Sequence, residues 1–138
     1  MKEQNGIFNL RPLKKTSILK MQSMKIIISI LLTALLAYAV GIYGNLPWWS
    51  FVLTNLLVAM VIPQKSIHSF LIGFVSIGLL WTLLAIGIDQ GNNHLLSVKV
   101  ANILPLKGSY VSLIVLTGFI GALVGGLASL TGSFVRKK

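Results

Sequence analysis

The sequence holds just two carboxylate and two imidazole side chains: Glu3, Asp89, His68 and His94. Acid–base catalysis, proton coupling and hard-metal binding all draw on these side chains. None of the four falls inside an apolar run, so proton-coupled transport through an intramembrane carboxylate lacks its usual residue. Asp89 stands at the end of an apolar run with His94 five residues on, a spacing suited to local capping or pairing. No His/Cys/Asp/Glu cluster has metal-ligand spacing, and no metal or cofactor is expected. The sequence holds no cysteine, which removes disulfides and thiolate nucleophiles. Serines are frequent, but position alone indicates no Ser/His/Asp set or Ser/Lys dyad. No catalytic residue is assigned, and the chain reads as a non-enzyme.

The remaining polar and small residues speak to packing. Asn55 is the most polar residue within an apolar run. Its amide facing lipid would be unsatisfied, so it is expected to point inward and hydrogen-bond between helices. Near the carboxyl end, Gly121, Gly125 and Ser129 recur every four residues, and so do Gly118, Ala122 and Gly126. Two such ridges let helix backbones approach closely, which matters where lipid removes any hydrophobic drive between helices. The pattern itself leaves open whether the neighbour is a helix of the same chain or a second copy.

These residues must be positioned by an apolar scaffold. Apolar residues make up 55% of the 138 and charged ones only 10%. Soluble domains run at roughly 45–50% and about 25%, so this chain has too few charges to cover a soluble surface. Mean hydropathy is +0.87. We expect an all-α membrane protein of four transmembrane helices, with approximate spans 26–43, 47–63, 69–88 and 110–133. The first span's eighteen residues reach about 27 Å, close to the ~30 Å hydrocarbon core. Ala37-Tyr38-Ala39 has the small-x-small form of a signal-peptidase site. The stretch before Ile26 is long for such a leader, however, and a second apolar run follows at once. The second span is short, bounded by Pro47 and Pro63, with Trp48 and Trp49 at headgroup level.

Net charge is +10, a value that would suit nucleic acid if the charges formed a stripe. They flank the spans instead, so no nucleic-acid partner is expected. With the amino terminus cytoplasmic, that side carries Lys2, Arg11, Lys14, Lys15, Lys20, Lys25, Lys65, Arg136, Lys137 and Lys138, and the other only Lys99 and Lys107. Ten against two sets the orientation. Residues 1–25 read as a basic, irregular cytoplasmic arm and 26–138 as the membrane domain. Met21 and Met24 offer alternative translation starts. Cysteine and Asn-x-Ser/Thr sequons are both missing, which suits the cytoplasmic (inner) membrane of a bacterium.

The longest loop runs from Asp89 to Ser109. Within it Leu96, Val100, Ile103 and Leu104 share one helical face and Lys99 and Asn102 the other. Asn92 or Asn93 is placed to cap the start and Pro105 to end it. A short interfacial helix over 94–104 is expected in this outer loop, between spans three and four.

Leu46-Pro47-Trp48-Trp49-Ser50 and Ile62-Pro63-Gln64-Lys65 resemble segments of uncharacterised small four-span bacterial inner-membrane proteins. Gly73-Phe74, Leu80-Trp81, Leu95-Leu96-Ser97, Gly125-Gly126-Leu127 and Leu130-Thr131-Gly132 add to the likeness, which covers roughly 25–138. It implies an architecture and no activity or site residue. Small multidrug-efflux transporters are of similar size but need an acidic residue in the first span, which is missing here. The expected role is a non-catalytic accessory or assembly component acting through helix–helix contacts. The alternative is a subunit of a small oligomeric transporter or channel. Expected partners are the lipid bilayer and either a second copy or another membrane protein.

Overall fold

The computed structural model describes residues 4–42, 47 and 49–136, with side chains from Thr16 onward. The described residues form five helices: α1 (Gln4–Ile42), α2 (Ser50–Val61), α3 (Ser66–Gly91), α4 (Leu95–Ile103) and α5 (Tyr110–Val135). Three stretches are long and apolar enough to cross a membrane: Thr16–Ile42, Ser66–Gly91 and Tyr110–Val135. Residues 43–46 lie outside the described residues, and so does Trp48, expected at headgroup level.

Two expectations change. The segment before Ile26 is not irregular, since α1 is already helical from Gln4. Apolar periodicity marks where a helix is buried, whereas Leu, Lys, Gln and Met before Ile26 are good helix formers whatever surrounds them. The second apolar run gives only the 12 residues of α2, about 18 Å at 1.5 Å per residue. Trp49 forms its N-cap, without a side-chain bond, and Ser50 anchors its first turn through Oγ to the Pro47 carbonyl at 2.6 Å. Ile62, held extended before Pro63, ends it. Both flanking prolines hold the chain out of the helix that the apolar residues alone would extend.

α3 and α5 pack along much of their length, α2 lies against α5, and α1 rests on α2 and α3. Glycines on α5 make the approach close. A β-carbon at Gly125 would stand 2.6 Å from Cγ1 of Ile77 and 2.8 Å from the Gly73 carbonyl oxygen. At Gly121 it would meet Trp81 at 2.9 Å, and at Gly126 Phe70 at 2.8 Å. At Gly132 it would lie 2.5 Å from the Leu56 carbonyl oxygen of α2. Gly118 faces Thr82, and Ala122 is buried where a Gly78 β-carbon would meet it at 2.8 Å. The small-residue ridges thus face helices of the same chain. Fully buried Ile77 joins Ala37 and Phe51 in a small core, where Phe51 meets Trp81 edge-on with ring centroids 5.1 Å apart.

Candidate functional site: a polar hub above an apolar cavity

Polar side chains gather at three levels of the bundle. In its interior, Asn55 of α2 is fully buried. Its Nδ2 donates to the Gly125 carbonyl at 2.8 Å, and its Oδ1 accepts from Ser129 Oγ at 3.1 Å. Ser69 Oγ of α3 donates to the Ser129 carbonyl at 3.3 Å. Three helices are joined here by groups that have no water to turn to. Asn55 and the glycine ridge, separate features in the sequence, meet at Gly125.

At the level of the α2–α3 turn, Arg136 reaches back from the end of α5. Its Nη1 donates to the carbonyls of Ala59 at 2.9 Å and Ile62 at 2.8 Å, and its Nη2 to that of Gln64 at 2.7 Å. A helix leaves its last carbonyls unsatisfied, and a planar guanidinium can serve several at once. Gln64 Nε2 then donates to Ser29 Oγ at 2.6 Å, and Ser29 Oγ donates to the Lys25 carbonyl at 2.7 Å, tying the turn to α1. In the sequence Arg136 stands only as a flanking charge and Gln64 only as a neighbour of Pro63. The signal for both was a helix stopped by Pro63 with no cap of its own.

The third group lies at the opposite end of α3. Asp89, with its side chain 5% exposed, accepts from Ser97 Oγ, and its Oδ2 lies 2.5 Å from His94 Nδ1. The imidazole stacks on Tyr110 at a centroid distance of 4.2 Å. Asn93 and His94 adopt left-handed backbone with φ of 48° and 61°, which reverses the chain between α3 and α4. Neither asparagine caps α4: its N-cap is His94. Asn92 caps α3 instead, its Nδ2 donating to the Ile88 carbonyl at 3.1 Å. Asn93 takes the positive φ that asparagine tolerates better than most residues.

Position in the sequence gave no Ser/His/Asp set, yet the fold assembles one. Residues 89, 94 and 97 are split between two helices, and only the left-handed turn brings them together. Its bonding order is not that of a nucleophilic triad, in which serine bonds histidine and histidine bonds the acid. The carboxylate is the hub here. Ser97 Oγ bonds Asp89 and, at 3.1 Å, the His94 carbonyl rather than the imidazole. The arrangement pins the start of α4 to the end of α3 and keeps a buried carboxylate satisfied.

Beneath this hub α3, α4 and α5 enclose a cavity of about 380 Å³, walled mainly by Trp81, Leu84, Ile88, Val100, Leu113 and Ile114. Leu96 also lines it, while Ile103 turns away from the bundle and is 84% exposed. The buried residue of α4 is Ala101. Trp49 is exposed at the start of α2. Among the described residues there is no group of three His, Asp or Glu side chains fit to hold a metal ion. His68 lies in the first turn of α3 and His94 folds back on Asp89, 21 residues further along the same helix, so about 32 Å separates them. Comparison with family models, with curated proteins and with solved structures found no match to this chain.

Proposed function

We propose that this chain is a four-span protein of the bacterial cytoplasmic membrane, both termini cytoplasmic, acting as a non-catalytic accessory or assembly component through helix contacts. The likeness to small four-span bacterial inner-membrane proteins belongs to the same reading. Three apolar stretches of 26 or 27 residues support it, and the basic residues favour this orientation. The 12-residue α2 crosses by borrowing Pro47 to Trp49 and Ile62 to Pro63, with local thinning of the bilayer.

One observation carries the accessory role: the polar groups around Asn55 satisfy one another, whereas the apolar cavity under α4 stands open. Asn55, Ser69 and Ser129 bond one another or α5 backbone. A transporter lined by Asn55 therefore needs a bundle arranged differently. The cavity, by contrast, has room for large apolar side chains and a rigid polar roof that fixes its shape. Such a surface suits an apolar helix of another membrane protein.

A photoreactive benzoylphenylalanine at Val100 tests this, with Leu31, a 64% exposed residue of α1, as control. In native membranes Val100 is expected to give one discrete protein adduct that Leu31 does not give. Lipid adducts alone at both positions would mean that acyl chains fill the cavity and would overturn the reading.

A further inference from the structure

We propose that the α2–α3 turn and the facing side of α1 form a binding site for the phosphate of an anionic phosphoglyceride headgroup. A cavity of about 120 Å³ opens there, lined by Gln22 and Lys25 of α1 and by Pro63, Gln64, Lys65 and His68. Lys25 and Lys65 reach it from elements forty residues apart in sequence, so the fold, not a local basic run, brings them to one cavity. Asp89 is the only carboxylate side chain among the described residues, and it lies at the far end of α3. No acid of the described chain therefore neutralises these lysines. The guanidinium of Arg136, whose bonds are to backbone carbonyls, adds its charge at the Gln64 edge.

A further feature fits a phosphate ester rather than diffuse charge. α3 begins at Ser66, the residue after Lys65 of the cavity wall, so the positive end of a 26-residue helix lies beside the same space. Two lysines beside a helix N-terminus match the phosphate of an anionic phosphoglyceride, for which phosphatidylglycerol is the probe. Lys25 is the last charge of α1 before an uncharged run that starts at Ile26, which puts the cavity at headgroup depth. Basic pockets between helices at this level are suited to anionic headgroups.

The test is native mass spectrometry of the full chain in mild detergent, titrated with phosphatidylglycerol or phosphatidylcholine. One phosphatidylglycerol per chain is expected to bind about tenfold more tightly than phosphatidylcholine. The double variant Lys25→Gln/Lys65→Gln should bind phosphatidylglycerol no better than phosphatidylcholine. Lys99→Gln/Lys107→Gln, the same charge change at the other end, should retain the preference. Equal losses in both double variants would show a diffuse charge effect and overturn the site. Millimolar inorganic phosphate is expected to leave the lipid bound. Displacement at that concentration would mean a free-anion site and overturn the lipid assignment.

Discussion

Gly125→Leu is expected to lower the stability of the folded chain by about 3 kcal/mol, the upper end for overpacked sites. The first added carbon already stands 2.6 Å from Ile77 and 2.8 Å from the Gly73 carbonyl, so α3 and α5 must separate. Separation would also draw the Gly125 carbonyl away from Asn55. Hydrophobicity cannot compensate, because a leucine gains nothing by leaving lipid. Gly41→Leu is the matched control: a β-carbon at Gly41 meets nothing within 4 Å. Thermal unfolding of both variants in detergent checks the difference. Since the ridge contacts α3 of its own chain, the loss should appear in the monomer. A stable monomer with only a weakened dimer would show that the ridge serves self-association instead.

Asn55→Asp is the second large effect, at about 3 kcal/mol, the order found for an aspartate at the centre of a membrane helix. The substitution removes the donor held by the Gly125 carbonyl at 2.8 Å and sets a carboxylate oxygen against it. The site is fully buried, so water cannot relieve the contact. Asn55→Leu should be milder, at about 1 kcal/mol, in line with measured interhelical hydrogen bonds in membranes. Ser129 can then turn its hydroxyl to the carbonyl one turn earlier in its own helix, that of Gly125. Chemical denaturation of the two variants in mixed micelles would establish the order. An Asn55→Asp protein as stable as the parent would mean that Asn55 is hydrated.

What could be read from the sequence followed the physics of single helices. The bodies of α3 and α5 were legible because lipid demands uninterrupted apolar runs, and the polar break expected from Asp89 to Ser109 separates them, although α3 runs on to Gly91. The helix within that loop was legible from its apolar face and from Pro105 as a stop, although neither Asn92 nor Asn93 caps it. Its ends shifted by one residue, to Leu95–Ile103. Helix without burial was not legible: residues 16–25 of α1 are all exposed, and the basic part of α1 read as irregular. Contacts that depend on helix docking were also hidden. Arg136 meets α2 carbonyls some 75 positions away, and Ser97 reaches Asp89 only after a left-handed turn at Asn93 and His94. Side-chain type showed that Asn55 needs an interior partner, but only the fold shows that the partner is the Gly125 ridge.

If the short α2 crosses the bilayer, the chain makes four spans, with positions 45 and 93 on one side and 65 and 138 on the other. Because the sequence has no cysteine, single cysteines can be placed at Asn45, Lys65, Asn93 and Lys138 and probed with a membrane-impermeant maleimide. Intact cells, with their outer membrane made permeable, should label Asn45→Cys and Asn93→Cys, whereas Lys65→Cys and Lys138→Cys should react only after lysis. Labelling of Asn45→Cys and Lys65→Cys from the same side would mean that α2 lies along one face, and the four-span account would be wrong.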